Sequence, residues 1–418
     1  MSIAKNSFFN VAGYLIPGLL SIPILGYMAR ELGIEEFGLF TLILSIVGYA
    51  SIFDIGITRS VIREIAIYKH NKKEVIKILS TSTLIILLLG ILAAFLIIIF
   101  NIQITNLLKV SANIKDEFNL CLIIMSLSIP FFLVTQVWCS LLEGKEEFLK
   151  LNIYKSISST LVILLPAIGL FWGQSLTYVI IGLLISRIIA MLLIFKFCKG
   201  YRFVITFDKL VFNRLITFGG WIAISNIISP IMSYFDRFIL ANRMGSDVVG
   251  FYTGPSEAIA RIGIFPSAIA RTIFPMLSSN QMDSFKIKKI SYVLIIISVV
   301  PFALFFAGFA EEILSLWLGD SFALKSSSVF QILILGLVFN SVAQVPFASI
   351  QASGNSKATA LLHLIECLPY IVLLWWLITH YGIIGAAWAW TIRMLIDMIL
   401  LIIIDNLKNI KKLRVRSI

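Results

Sequence analysis

Charged side chains are scarce in this chain of 418 residues, in which only 13% are Asp, Glu, Lys or Arg and 59% are hydrophobic. A soluble domain carries about one-quarter charged residues. The mean hydropathy is +0.98, so most of the chain must face lipid or other buried helices. Because each membrane-crossing helix needs about 20 residues, the apolar segments leave only short connections. A soluble domain of ordinary size does not fit beside them.

Residues suited to catalysis or metal binding are also few. The histidines His70, His363 and His380 are scattered, and the four cysteines lack the short spacing of a metal or redox pair. The segments GIEEFG from Gly33 and GSDVVG from Gly245 are not followed by the Lys and Ser/Thr that bind phosphate in a Walker motif. The sequence therefore predicts no catalytic residue, no metal site, no cofactor and no enzymatic activity.

Apolar segments bounded by charges or by Gly and Asn clusters predict an all-α integral membrane protein with about 12 transmembrane helices. The predicted spans are 8–29, 38–58, 79–100, 118–142, 151–172, 176–197, 215–240, 250–276, 291–316, 326–350, 361–379 and 383–404. The connections on the side opposite the termini are short, which disfavours a membrane glycan polymerase.

The positions of the 34 Lys and Arg residues predict the orientation. With a cytoplasmic N-terminus, 24 of them lie on the cytoplasmic side, five lie on the opposite side and five lie inside helices. Cytoplasmic loops retain Lys and Arg, so both termini are predicted to be cytoplasmic. This orientation, together with anionic lipid, explains the net charge of +12, and no nucleic-acid partner is expected.

Three pairs of segments recur at nearly one offset, from 206 to 212 residues. They are LGIEEFGLFT from Leu32 and MGSDVVGFYT from Met244, EGKEEF and SGNSKA around Gly144 and Gly354, and the segments around Arg187 and Arg393. The shared order predicts a duplicated six-helix unit, with an N-terminal lobe over 1–205 and a C-terminal lobe over 206–418. Two such lobes in the same orientation place a transport site between them near the bilayer midplane.

Several charged residues fall inside or beside the predicted helices, where each costs roughly 2.5–3.5 kcal/mol on insertion scales. Two arginines of helix 8, Arg261 and Arg271, exceed the one local acid, Glu257, and an arginine suits phosphate through its bidentate donor fork. The predicted cationic cavity comprises Arg261, Arg271, Arg187, Arg393, Arg237, Arg30 and Arg59. The candidates for ion coupling are Asp54, Asp236, Glu257, Glu366 and Asp397. For Arg187, and for Arg393 with Asp397, structural ion pairing and cargo binding stay equal alternatives.

An ordered set of motifs resembles a known family over nearly the whole chain. The motifs are LGIEEFGLFTL from Leu32, FDIGITRSVIRE from Phe53, GGWIAISNIISPIMSYFDRFIL from Gly219, MGSDVVGFYT from Met244, LWLGDSF from Leu316 and QASGNSKATA from Gln351. They are similar to the polysaccharide-transporter flippases of O-antigen (Wzx) type, within the multidrug/oligosaccharidyl-lipid/polysaccharide exporter superfamily. The resemblance implies two six-helix lobes around a central cavity.

The same resemblance implies a cargo and a location. The cargo would be an undecaprenyl-pyrophosphate-linked oligosaccharide, flipped from the cytoplasmic to the periplasmic leaflet of the bacterial inner membrane by alternating access. The expected partners are this lipid-linked oligosaccharide, bilayer lipids and other membrane proteins of polysaccharide assembly. The main alternative is an ion-coupled small-molecule efflux antiporter of the same architecture, which would favour an acidic cavity. The excess of arginine favours the flippase.

Overall fold

The computed structural model describes residues 3–201, 204, 206–264, 266–267, 284–352 and 356–416. Within these ranges, side chains are described except at 3–16, 218–231, 284–285, 356 and 408–416. The described residues contain α-helices and two short 3-10 turns, and they contain no β-strand. The predicted all-α class is therefore confirmed for the part of the chain that the structure describes.

The helices follow one another with short connections. In chain order they are α1 (Ile3–Ala50), α2 (Ile57–Ile67), α3 (Lys72–Ile99), α4 (Asn101–Leu107), α5 (Lys115–Ser126), α6 (Ser128–Gly144), α7 (Phe148–Gly169), α8 (Leu176–Phe197), α9 (Lys209–Met244), α10 (Val249–Ile262), α11 (Ser284–Gly308), α12 (Ala310–Leu318), α13 (Asp320–Ala352) and α14 (Ser356–Arg416). The 3-10 turns are Ser51–Asp54 and Ser246–Val248.

The two longest helices are each broken at a glycine. Helix α1 is interrupted at Gly33, with φ 74° and ψ −176°, and α14 is interrupted at Gly382, with φ 58° and ψ −132°. Both backbone conformations are nearly restricted to glycine. Gly33 separates the predicted spans 8–29 and 38–58, and Gly382 separates 361–379 and 383–404. The sequence predicted a connecting segment at each of these two places. The structure has instead a turn at a single glycine.

Eight helical stretches of the described residues are long and apolar enough to cross a membrane. Lys357–Leu407 contains the predicted spans 361–379 and 383–404, and Pro17–Asp54 overlaps most of the predicted spans 8–29 and 38–58. The predicted span 250–276 is described only in part, since most of 265–283 lies outside the described residues. The protein is a multi-pass membrane protein, and the count of twelve spans stays a prediction.

Several helix ends differ from the predicted ones. Helix α1 ends at Ala50, earlier than the predicted 58, because left-handed backbone at Ile55 and Gly56 begins the separate helix α2. The predicted span 118–142 is divided into α5 and α6. The predicted span 291–316 is divided between α11 and α12, and the short helix α4 was not predicted, because it is not long enough to cross a membrane.

The outer surfaces of the helices are apolar, and several hydroxyls between helices are satisfied by backbone carbonyls. Phe95 on α3 is 57% exposed, Leu304 on α11 is 69% exposed and Leu368 on α14 is 70% exposed. Inside the packed helices, the hydroxyls of Ser82 and Ser341 donate hydrogen bonds to carbonyls one turn earlier. Such satisfaction is required where no water is available, and the exposed apolar faces suit contact with lipid.

The chain divides into two compact units, Met1–Gly250 and Phe251–Ile418. In the first unit, small residues let helices approach closely, as where Gly182 of α8 meets the carbonyl of Leu165 on α7. In the second unit, Gly336 of α13 lies against Trp390 of α14. Helix α9 packs with the first unit, on α2 and α3. The sequence repeat predicts a boundary between two duplicated lobes at 205/206, and that boundary stays a prediction.

Candidate functional site

The two copies of the glycine motif, which the sequence repeat brings into correspondence, pack on each other within the first unit. Gly33 and Gly245 both have positive φ, at 74° and 99°. A Cβ atom on Gly38 would lie 2.7 Å from the backbone nitrogen of Gly250, and one on Gly250 would lie 2.2 Å from the carbonyl oxygen of Ile34. The second glycine of each copy is therefore required for backbone-to-backbone contact.

Glu35 links the same two copies through its side chain. Its carboxylate accepts a hydrogen bond from the hydroxyl of Ser246 at 2.7 Å and from the backbone N–H of Ser111 at 3.3 Å. The first copy, the second copy and the segment before α5 thus meet at one carboxylate. This contact joins residues 211 positions apart, which no local sequence signal predicts.

Asp236 and Arg237 of α9 are both buried, at 6% exposure. The guanidinium of Arg237 donates to the carbonyl of Thr41 and to the hydroxyl of Ser45, each at 3.4 Å, and lies 5.7 Å from the ring of Tyr234. Asp236 accepts from the backbone N–H of Arg237 at 2.8 Å. Arg237 therefore joins α9 to α1, and the hydrogen bond to Asp236 lies within α9.

Asp54, a predicted residue for ion coupling, accepts hydrogen bonds from the first turn of α2. Its carboxylate accepts from the backbone N–H of Thr58 at 3.0 Å and from the hydroxyl of the same residue at 2.5 Å. Arg59 is 63% exposed and lies 3.9 Å from Glu143. Arg30, near the break in α1, is exposed. Arg59 also acts electrostatically on Asp54.

An ion-pair network that the sequence did not predict joins α9 to α2 and α3. Arg214 lies 3.4 Å from Glu64 and 2.5 Å from Glu74, and its guanidinium stacks 4.8 Å from the ring of Tyr68. Glu64 is buried, with its side chain 4% exposed. Since the partners are 140 to 150 residues apart in sequence, only the folded chain could reveal the network.

The first turn of α9 is capped by Asp208. Its carboxylate accepts from the backbone N–H groups of Val211 and Leu210 at 3.1 and 2.9 Å, and Lys77 lies 3.5 Å away. These hydrogen bonds favour the ionised carboxylate and lower the pKa of Asp208, with the bond from Val211 as the largest cause. The cap helps to set where α9 begins.

Arg187, on α8, lies against α6. Its guanidinium is 4.7 Å from the ring of Phe132, and its Nε has no hydrogen-bond partner among the described residues. An arginine that is held by an aromatic ring keeps donor groups available for a ligand. Both readings of Arg187, structural cation and cargo contact, stay open.

In the second unit, the structure brings Arg261 and Glu257 together on α10. The guanidinium of Arg261 lies 3.0 Å from the Glu257 carboxylate, four residues earlier. The side chain of Arg261 is 26% exposed and that of Glu257 is 12% exposed. Arg271 lies outside the described residues. The one local acid is thus engaged by Arg261, as the spacing predicted.

A second charged cluster lies where α14 folds back at Gly382. His363 and Glu366 are in its first half and Asp397 is in its second half, and donor atoms of all three lie within 4.8 Å of one another. His363 Nε2 is 3.5 Å from the Asp397 carboxylate. Arg393, whose guanidinium lies 5.0 Å from the ring of Tyr370, acts electrostatically on Glu366.

The sequence named Glu366, Asp397 and Arg393 but missed His363. The spacing of His363 and Glu366, three residues apart on one helix face, was a signal that could have included it. The approach of Asp397 depends on the turn at Gly382, which places the two halves of α14 side by side.

Comparison with known proteins gives consistent results. The polysaccharide biosynthesis protein family matches residues 3–281. A Shigella flexneri protein described as an O-antigen transporter is 42% identical over 409 residues, covering 96% of this chain and 97% of the relative. The capsular polysaccharide biosynthesis protein CapF of Staphylococcus aureus is 22% identical over 416 residues, covering 95% and 98% of the two chains.

Solved structures share the fold at low sequence identity. The lipid II flippase MurJ in an inward closed conformation superposes with a TM-score of 0.76 at 20% identity, covering 96% of this chain and 86% of MurJ. An inward-facing multidrug resistance transporter of the MATE family superposes with a TM-score of 0.74 at 16% identity, covering 98% and 95%. With a family match over residues 3–281 and a relative that is 42% identical over almost its full length, this chain belongs to the polysaccharide biosynthesis protein family and has the membrane-transporter fold shared by MATE proteins and MurJ.

Proposed function

We propose that this protein is a flippase that moves an undecaprenyl-pyrophosphate-linked oligosaccharide from the cytoplasmic to the periplasmic leaflet of a bacterial inner membrane. The observation that carries the proposal is the 42% identity, over 96% of this chain, with a relative described as an O-antigen transporter. The motifs of that family extend across both halves of the chain, so the whole protein, and not one segment, supports the assignment. The named relatives are transporters, a flippase and a biosynthesis protein, which agrees with a protein that is not an enzyme.

The charged residues support an anionic cargo. Arg261 and Arg187 are partly buried on membrane helices, and an arginine in that setting binds phosphate oxygens with two parallel donors. We propose that these two arginines contact the pyrophosphate of the cargo. Arg271 and Arg393 are proposed to contact the same group. Bilayer lipids and other membrane proteins of polysaccharide assembly are the further partners of this proposal.

The alternative is an efflux antiporter for small molecules. The MATE superposition supports it at the level of the fold, but the fold is shared with a lipid II flippase and does not separate the two activities. The net charge of the cavity distinguishes the two activities, since a cavity that binds cationic drugs needs an excess of acidic side chains.

Deletion of the gene in the organism that carries it tests the function. We expect loss of the surface polysaccharide and accumulation of the lipid-linked repeat unit in the inner leaflet, with both reversed by the intact gene on a plasmid. Susceptibility to cationic drugs should not change. Normal polysaccharide together with increased drug susceptibility would instead identify an efflux antiporter.

The orientation is the second prediction of this section. Because Lys and Arg are retained in the cytoplasm, a fluorescent protein fused after Ile418 should be bright, and alkaline phosphatase fused there should be inactive. The matched control is a pair of fusions within 101–117, one of the predicted external connections, where the two reporters should give the opposite result. Active phosphatase after Ile418 would contradict an even number of spans with a cytoplasmic N-terminus.

A further inference from the structure

Two lysines of the first unit converge on one tyrosine, Tyr201, in the connection between α8 and α9. The ammonium group of Lys145 donates a hydrogen bond to the hydroxyl of Tyr201 and lies 4.4 Å from the centroid of its ring. The ammonium group of Lys72, the first residue of α3, lies 5.8 Å from the same centroid. An aromatic ring attracts cations but carries no net charge, so two positive charges remain beside Tyr201.

The acidic side chains next to these lysines are engaged by other cations. Three acids at the junction of α6 and α7 form such pairs: Glu143 with Arg59 at 3.9 Å, Glu146 with Lys69 at 3.7 Å and Glu147 with Lys150 at 2.6 Å. In the first turn of α3, Glu74 lies 2.5 Å from Arg214. Within the part of the chain that the structure describes, neither Lys72 nor Lys145 forms an ion pair with a carboxylate. Their charges therefore call for an anion from outside the chain.

The position of Lys72 at the N-terminus of α3 adds to the positive charge. The first N–H groups of a helix have no partner within the helix and carry partial positive charge. The side chain of Asn71 accepts from one of them, the backbone N–H of Glu74, at 3.2 Å. Helix N-termini bind phosphate for this reason. Because the oxygen of Tyr201 accepts from Lys145, its own hydroxyl hydrogen can be donated to such a phosphate.

The apolar residues that follow Tyr201 indicate that the phosphate belongs to a lipid. Val204 and Phe207 are exposed, and the backbone N–H of Val204 donates to the hydroxyl of Ser80 on α3 at 3.4 Å. Helix α3 is itself apolar enough to cross a membrane, over Lys72–Ile99. Charged residues at the end of such a span lie at the level of the lipid headgroups, so the two lysines have a headgroup beside them and apolar side chains nearby.

We propose that Lys72, Lys145 and Tyr201 form a binding site for the phosphate group of a lipid headgroup at the beginning of α3. The two ammonium groups offset the charge of the phosphate, and the hydroxyl of Tyr201 donates to one of its oxygens. The distribution of Lys and Arg predicts that this end of α3 lies at the cytoplasmic leaflet. A soluble phosphate has the same chemistry, so the experiment separates the two sources. An ordinary anionic phospholipid satisfies the site, and the binding does not depend on the proposed flippase function.

Thermal unfolding of the purified full-length protein in detergent measures the binding. One series adds dioleoyl phosphatidylglycerol, and a second adds dioleoyl phosphatidylcholine, which has the same acyl chains and no net charge. A third series adds sodium pyrophosphate without lipid, against NaCl at equal ionic strength. A ligand that binds only the folded state raises the unfolding temperature with the logarithm of its concentration. We expect a rise of about 2 °C for each tenfold increase of phosphatidylglycerol above half-saturation, and a smaller rise with phosphatidylcholine.

Three variants and a matched control locate the response. Lys72→Gln and Lys145→Gln should lose most of the difference between the two lipids, and Tyr201→Phe, which keeps the ring and removes the donor, should weaken it. Without anionic lipid, Lys72→Gln should be at least as stable as the unmodified protein, because it removes one of two like charges. The control is Lys73→Gln, at the next and also exposed lysine, whose side chain is rotated by about 100° around the helix. It removes the same charge and should keep the full response.

The outcomes separate a site from a general effect of surface charge. A larger response to phosphatidylglycerol that Lys72→Gln and Lys145→Gln lose and Lys73→Gln keeps supports the proposal. Equal responses to the two lipids, or equal responses of Lys72→Gln and Lys73→Gln, would overturn it. A response to pyrophosphate without one to phosphatidylglycerol would contradict the lipid as the source of the phosphate. A protein that shows the lipid response but does not flip its cargo would contradict the proposed function and leave the phosphate site supported.

Discussion

Replacing Arg261 with alanine is expected to lower export of the surface polysaccharide strongly while the protein stays abundant in the membrane. A charge-assisted hydrogen bond contributes about 1.5–3 kcal/mol, so loss of one such contact in the transported state lowers the rate by about 10- to 100-fold. Arg261→Lys should retain partial activity, because lysine keeps the charge and loses the two-donor fork. The measurement is surface polysaccharide in a deletion strain, with membrane abundance of each variant beside it.

The pairing of Arg261 with Glu257 at 3.0 Å provides the sharpest control for this result. If Arg261 only neutralises Glu257, the double variant Arg261→Ala with Glu257→Ala should regain activity. If Arg261 contacts cargo, the double variant should be well expressed and inactive. Lys325→Ala, at an exposed cation of the same unit, should leave export unchanged. Normal export by Arg261→Ala and by Arg271→Ala, singly and together, would contradict the cationic site.

Replacing Gly250 with alanine is expected to destabilise the protein strongly. The added Cβ would lie 2.2 Å from the carbonyl oxygen of Ile34, and one on Gly38 would lie 2.7 Å from the backbone nitrogen of Gly250. The obstructing atoms belong to backbone and cannot rotate away, so α1 and the second glycine motif must separate. We expect each substitution to cost about 3 kcal/mol or more, above the usual range for overpacking.

The matched control is Gly308→Ala at the end of α11, where nothing lies within 4 Å of the added Cβ. That substitution should be neutral or slightly stabilising, since alanine restricts the unfolded chain. Unfolding temperatures and the monodisperse fraction of purified protein measure the difference. Unfolding of Gly38→Ala and Gly250→Ala at the same temperature as Gly308→Ala would show that the two motifs are not in close contact.

The paired glycine motifs show how far sequence reasoning reached. The offset of 212 residues between their two copies indicated a duplication, and the matching positive φ at Gly33 and Gly245 agrees with equivalent local structure. That the copies touch could not be read from the repeat. An internal repeat specifies that two segments have similar conformations, and it contains no information about the distance between them.

The acidic residues show a second limit. Asp54, Asp236, Glu257, Glu366 and Asp397 were equal candidates for ion coupling, because each is an acid in or beside an apolar segment. Their difference lies in their partners, and the i,i+4 spacing offered a charged partner for two of them, Arg261 for Glu257 and Arg393 for Asp397. Hydrogen bonds to Thr58 and to the backbone of Arg237 account for two others. Among the residues that the structure describes, Glu366 has no hydrogen-bond partner, which is a property of its surroundings in the fold.

The amino-acid sequence by itself determined that this protein is helical, membrane-spanning and related to proteins of polysaccharide biosynthesis, among them an O-antigen transporter. Hydropathy and the placement of Lys and Arg act through the bilayer, which imposes the same requirement on every apolar segment whatever its neighbours. Only the tertiary structure decided which polar side chains meet: Arg214 with Glu64 and Glu74, Glu35 with Ser246, and His363 with Asp397. These contacts join residues far apart in the chain, and their energies depend on burial and distance, which exist only after the helices have packed.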